Sequence, residues 1–147
     1  MKVSIITVVK NNEETILQTI NSIKSQSYQN IEHIIIDGKS SDNTLKIIKY
    51  NHTKNHKILS EKDDGIFDAM NKGINLATGE IIGFLNGDDL FANENSIDDI
   101  VSVLKNTNID ACYGDLLYFK DKGGIVPSRY WKSREYKKGV FASGWAP

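Results

Sequence analysis

The sequence predicts an α/β fold, a three-layer arrangement with a mostly parallel central sheet and helices on both faces. Three observations carry that expectation. Runs that read as buried strands alternate four times with segments of helical apolar spacing, and such alternation calls for a parallel sheet. Val3 to Val9 is β-branched at every position but Ser4, the pattern of a strand covered on both faces. Polar clusters follow the first, second and fourth strands, at Lys10-Asn11, Asp37 and Asp88-Asp89. Ligands of such sheets bind beyond the C-terminal strand ends.

Each element has its own local signal. After the first strand, Asn11-Asn12-Glu13-Glu14 carries the Asn-then-Glu spacing of a helix start. Ile16, Leu17, Ile20 and Ile23 then recur at helical spacing. Ile31 to Ile36 reads as a second buried strand, ended by Asp37-Gly38, and Ser40 to Thr44 offers caps for a helix through Leu45, Ile47 and Ile48. Tyr50 to His56 is polar and reads as loop; Lys57 to Ser60 is a short third strand. Gly65 to Ala77 spaces Ile66, Met70 and Ile74 as a helix that Gly79 stops. Glu80 to Leu85 is the fourth strand, and Ser96 to Lys105 a helix with Ile97, Ile100, Val101 and Leu104 on one face. Beyond Asp110 the pattern changes. Ala111 to Lys120 reads as a strand, Lys122-Gly123-Gly124 as a hairpin turn, and the basic tail shows no period.

Composition narrows the function classes. A chain of 147 residues with 39% hydrophobic residues is sized for one compact domain. Its net charge of −1 argues against a general nucleic-acid binder. The charge is uneven: Phe119 to Lys138 holds seven basic and two acidic residues, a basic patch on a mildly acidic body. Within it, the run Arg129 to Lys138 suits a solvated tail, or peripheral contact with an anionic lipid surface or an acidic carrier-linked acceptor. The single cysteine, Cys112, forms no internal disulfide and reads as a buried structural thiol. His33, His52 and His56 lack metal-ligand spacing. The sequence shows no signal peptide and no apolar run of membrane-spanning length, so the expected location is cytoplasmic.

Four carboxylates and one lysine stand out as candidates for chemistry. Asp88-Asp89 concentrates negative charge after a buried strand. It suits Mg²⁺ or Mn²⁺ shared with substrate phosphates, and equally a solvated turn with Asp as a helix cap. Asp37 stands at a strand end, placed either to accept a hydrogen bond from a base or ribose or to cap the turn through Gly38. Asp68 and Lys72 share a helical face, as a surface pair or as contacts to a base and a phosphate. No P-loop, G-x-G-x-x-G or G-x-S-x-G motif is present, which disfavours P-loop hydrolysis, Rossmann hydride transfer and serine hydrolase chemistry. A metal-dependent phosphohydrolase would want further paired carboxylates or His ligands beside Asp88 and Asp89.

Four segments in order resemble the N-terminal part of an inverting family 2 glycosyltransferase of the GT-A fold. They are Val3-Ser-Ile-Ile-Thr-Val-Val-Lys-Asn11, Ile34-Ile-Ile-Asp-Gly-Lys-Ser-Ser-Asp-Asn-Thr44, Asp64-Gly-Ile-Phe-Asp-Ala-Met-Asn-Lys-Gly73 and Gly79-Glu-Ile-Ile-Gly-Phe-Leu-Asn-Gly-Asp-Asp89. The resemblance implies that Asp37 reads the base, usually uracil, that Asp88 lies near the ribose or the metal, and that Asp89 binds Mn²⁺ or Mg²⁺. It places Asp68 and Lys72 on a helix bordering the nucleotide. It further implies a UDP-sugar donor, a glycan or lipid-linked acceptor, and a role in cell-surface polysaccharide or lipopolysaccharide synthesis.

The same resemblance frames residues 1–115 as a nucleotide-sugar-binding part of one domain and residues 116–147 as the start of an acceptor-side region. It implies a catalytic base beyond Pro147, with Asp115 too early to match. The alternative is a truncated, non-catalytic nucleotide-binding or interaction module. Two departures stand out: Lys10 replaces a frequent aromatic, and Asn86 replaces the first acid of a D-x-D spelling. Apolar residues near Val140, Phe141 and Trp145 predict self-association, as a homo-dimer or an aggregate.

Overall fold

A computed structural model describes residues 1–51, 53, 55–106, 109–120 and 126–135. Strands β1 (Val3–Val9), β2 (Ile31–Asp37), β3 (His56–Ser60) and β4 (Ile81–Phe84) form one sheet in the order β3-β2-β1-β4. All three pairings are parallel. Helices α1 (Ile16–Lys24), α2 (Thr44–Tyr50), α3 (Ile66–Leu76) and α4 (Ser96–Asn106) follow the four strands in turn.

Side-chain alternation assigns the helices to faces. Every residue of β1 is buried. Val3, Ile5 and Val9 pack against α1, α2 and α4 through Ile16, Ile20, Ile23, Ile48, Ile97 and Val101. The intervening Ile6 and Val8 join Ile34 and Ile36 of β2 against Ala69 and Met70 of α3. The β-branched run thus serves both faces, each fully buried isoleucine contributing about 1.5–3 kcal/mol. Helix α3 comes so close to β1 that a Cβ added at Gly73 would collide with Ile6 Cγ2.

The N-terminal edge of the sheet is closed by a buried carboxylate. Glu32 accepts from Ser4 Oγ at 2.6 Å and from the Thr78 amide at 2.6 Å, and pairs with Lys2 at 2.8 Å and Lys57 at 3.1 Å. Burial would raise its acid, but these donors outweigh burial and hold it well below the usual carboxylate range.

Several expected boundaries move. Helix α1 begins at Ile16, with Thr15 as its cap residue, because Asn11 and Glu13 are engaged by the loop after β2. Tyr50 closes α2 and His56 opens β3, so only the intervening residues connect them. The predicted strand from Ala111 shortens to β5 (Leu116–Phe119), and Cys112 is exposed rather than buried, since residues 111–115 form no strand to cover it. His52, the Lys122-Gly123-Gly124 turn, Val140, Phe141 and Trp145 lie outside the described residues.

The chain divides into two compact units, Met1–Ser102 and the residues from Val103 onward. In the second unit β5 pairs antiparallel with β6 (Pro127–Trp131), which gives part of the basic run a regular structure. Arg129 there lies over Tyr118 and Trp131, 5.8 and 4.9 Å from the ring centroids. No helix among the described residues is long and apolar enough to cross a membrane.

Candidate functional site

Parallel strands bring the C-terminal ends of β1, β2 and β4 to one edge. Leaving β1, the chain turns at Asn11, whose φ of 54° is left-handed. Asn11 Oδ1 accepts from the Ser41 amide at 2.9 Å, and Glu13 Oε2 from the Asn43 amide at 2.8 Å. The Asn12 amide donates to Thr44 Oγ1 at 2.8 Å. The polar residues after β1 therefore tie two loops together. Beside them opens a cleft of about 590 Å³, lined among others by Lys10, Asn12, Asp63, Ile66, Asn86 and Asp88.

Asp88 lines this cleft directly and is exposed. The turn that carries it is pinned to β1. The Gly87 amide donates to Val8 O at 3.2 Å, Gly87 O accepts from Thr15 Oγ1 at 2.9 Å, and a Cβ at Gly87 would sit 2.7 Å from Val9 Cγ2. Asp89 follows, and Asn86 Nδ2 donates to its Oδ2 at 3.0 Å. Loss of solvation, and then the neighbouring Asp88 charge, raise the Asp89 acid above its ordinary value. Asn86 Oδ1 is buried without a partner among the described residues.

These residues fit a hard divalent cation. Two adjacent carboxylates supply oxygen ligands, and loss of solvation together with the Asp88 charge raises the Asp89 acid, which a bound cation would offset. Among the described residues, no group of three or more His, Cys, Asp or Glu forms a metal cluster. An ion here would complete its coordination with phosphate oxygens and water.

The other expected site residues lie elsewhere on the same edge. Asp37 is fully buried, level with Val9 and Ser60 across the sheet. Its carboxylate accepts from the Ser40 amide at 3.2 and 3.3 Å, from Ser40 Oγ, and from Ser60 Oγ at 2.6 Å. Asp68 and Lys72 form the ion pair that their spacing implies, at 3.0 Å. Lys72 also meets Glu61 at 2.9 Å and donates to Lys62 O at 2.9 Å, while the Asp64 amide donates to Asp68 Oδ2 at 3.1 Å. These contacts lash the β3–α3 loop to the helix.

Asp63 is the cleft residue that sequence reasoning missed. Its signal was present: Asp63-Asp64-Gly65 follows the third strand as the other clusters follow theirs. Gly65, with φ of 113°, permits the turn from that loop into α3. Asp115 lies in the second unit, where Tyr130 and Ser133 donate to it and pull its acid down to about 2. A carboxylate so stabilised as the anion is a poor proton acceptor.

The family model for glycosyl transferase family 2 matches residues 4–145. The chain belongs to that family. Among its relatives, this glycosyltransferase chain is 33% identical over 114 residues to the UDP-Glc:alpha-D-GlcNAc-diphosphoundecaprenol beta-1,3-glucosyltransferase WfgD of Escherichia coli, covering 77% of this chain and 45% of that protein. Its structure resembles S. aureus TarS 1-349 in complex with UDP-GlcNAc, with a TM-score of 0.66 and 28% identity over 72% of this chain and 32% of that one. The mannosyltransferase PcManGT from Pyrobaculum calidifontis, solved with GDP-Man and Mn²⁺, shares the fold at a TM-score of 0.67 and 22% identity, over 82% and 36% of the two chains. The fold is thus GT-A. The glycosyltransferase chain described here spans less than half the length of these relatives.

Proposed function

We propose that this family 2 chain binds a nucleotide-sugar donor, most simply a UDP-sugar, in the cleft beyond β1 and β4. The observation that carries the reading is the Asn86–Asp89 turn, which is pinned to β1 and sets Asp88 in the cleft next to the Asp89 carboxylate. WfgD's name, with its UDP-linked donor and diphospholipid acceptor, supports the same class of chemistry. The acceptor is a glycan or lipid-linked glycan of cell-surface polysaccharide, used at the cytoplasmic side of the membrane.

In the proposed reaction an acceptor hydroxyl displaces the nucleoside diphosphate at the anomeric carbon in one inverting step. A bound Mn²⁺ or Mg²⁺ supplies charge neutralisation for the leaving diphosphate. Asp88 and Asp89 would hold that ion, and Asn86 orients the Asp89 carboxylate through its amide hydrogen bond. Asp37 fixes the turn after β2 that borders the nucleotide, and the Asp68–Lys72 pair fixes the loop before α3.

Thermal melts with UDP, GDP and CMP, each with and without Mn²⁺, test this reading. A nucleotide at about a hundred times its Kd adds roughly 2.7 kcal/mol, a shift of several degrees at this size. UDP with Mn²⁺ is expected to give that shift and Asp89→Ala to remove it. A folded chain whose melt no nucleotide moves would sink the proposal.

A further inference from the structure

We propose that Asp63 is the residue that reads the nucleobase, accepting the imino N–H of uracil or guanine, with the Lys10 ammonium beside it facing a base carbonyl. The proposal rests on the donor reading of the cleft. Both Asp63 and Lys10 line that cleft together with Asp88. Asp37 does not: it is fully buried, and Ser40 and Ser60 occupy its two carboxylate oxygens.

Gly38 makes the arrangement possible. A Cβ added there would collide with Asp63 Oδ2 and stand 3.3 Å from Lys10 Cδ. The acid from the loop after β3 thus occupies the end of β2, where a side chain at position 38 would otherwise project. Lys10 converges on the same point from the end of β1.

The backbone on both sides of Asp63 is held. Lys72 Nζ takes Lys62 O at 2.9 Å, and Asp68 Oδ2 takes the Asp64 amide at 3.1 Å. The Glu61 amide donates to Asp37 O at 3.0 Å, which joins this loop to the end of β2. Asp63 Oδ1 accepts from the Gly65 amide at 3.1 Å. Its Oδ2 has no hydrogen-bond partner among the described residues and remains for a ligand.

A carboxylate accepts and does not donate. Uracil offers an imino N–H between two carbonyls, and guanine an imino N–H beside one carbonyl. Cytosine and adenine place a ring-nitrogen acceptor at that position, which would face the carboxylate lone pairs. An acceptor flanked by an ammonium donor therefore selects uracil or guanine against cytosine. Sites that hydrogen-bond a substrate donor reject analogues lacking it, because a buried polar group is then left unpaired.

Calorimetric titration of the full chain with UDP, GDP and CDP, each with Mn²⁺, tests the assignment. The wild type is expected to bind UDP or GDP at least about tenfold more tightly than CDP. Asp63→Asn, whose amide can both donate and accept, is expected to erase that preference while the far-ultraviolet spectrum is unchanged. Gly38→Ala, which crowds Asp63 from β2, is expected to weaken the preferred nucleotide. Asp37→Asn serves as the comparison: it lowers the melting temperature and keeps the base preference. A preference that survives in Asp63→Asn, or disappears in Asp37→Asn alone, overturns the assignment and leaves the donor cleft standing. A wild type that binds no nucleotide overturns both.

Discussion

Asn86 and Asp89 close a tight turn on themselves, the Asn86 side-chain amide donating to Asp89 Oδ2 at 3.0 Å while the Asp89 backbone amide donates to Asn86 O at 3.1 Å. The first bond stabilises the Asp89 anion against loss of solvation and the Asp88 charge, and the second fixes the turn that presents it. Asn86→Ala removes the side-chain bond and raises the Asp89 acid further. The expected result is Mn²⁺ binding in the presence of UDP weakened by about tenfold, in the range of lost outer-shell partners of metal ligands. Manganese titration followed by electron paramagnetic resonance measures this without any turnover. Unchanged Mn²⁺ affinity would remove Asn86 from the site.

His33 makes stability fall on mild acidification. Its ring is 2% exposed, its Nε2 meets Thr7 Oγ1 at 2.9 Å, and its Nδ1 has no hydrogen-bond partner among the described residues. Burial, then the charges of His56 and Lys24, push it from 6.5 down to about 3. The His56 ring stands edge-on to it at 5.0 Å. Below pH 6.5 the unfolded chain takes up a proton that the folded chain refuses, so stability is full above that value and declines towards pH 3. This one group costs about 1.4 kcal/mol between pH 7.5 and 5.5. Urea midpoints at the two pH values should show that difference, and His33→Gln should reduce it. An equal slope in the variant would assign the acid sensitivity to other groups.

Gly73→Ala sets two effects against each other. Alanine improves helix propensity by about 1 kcal/mol. The added Cβ meets Ile6 Cγ2 in the packed layer between α3 and β1, and overpacking there costs about 1–3 kcal/mol. The steric effect wins, giving a net loss of about 1 kcal/mol and a melting temperature several degrees lower. A calorimetric scan decides it, and a variant that melts higher would show that α3 shifts freely.

The sheet and its helices were legible because their signals are local and redundant. Val3 to Val9 needs no partner to announce a strand buried on both faces. The start of α1 was misread for the opposite reason. Asn11 and Glu13 have the residue types of a cap, but their oxygens bond Ser41 and Asn43, far along the chain. Tertiary partners outbid the local motif. At the cleft, the rule that ligands sit beyond strand ends points to the edge where the cleft opens. It does not say which side of the sheet a strand-end residue faces: Asp37 follows Ile35 in alternation, and Ile35 packs with α1 and α2. Asp63 comes to the cleft from a loop, its carboxylate lying where a side chain on Gly38 would project. That depends on the pairing of distant segments, which no window of sequence displays.

The order β3-β2-β1-β4 also bears on how the chain reaches its native state. No two neighbouring strands of this sheet are antiparallel, so no hairpin can start it. The first partner of β1 arrives after one helix, while β4 arrives only after three. A nascent chain therefore holds its most apolar strand with one edge open until the fourth strand has left the ribosome. Non-local pairing of this kind folds slowly, and an open edge recruits foreign strands. Soluble yield should therefore depend more on the rate of synthesis and on chaperone supply than on the stability of the finished sheet.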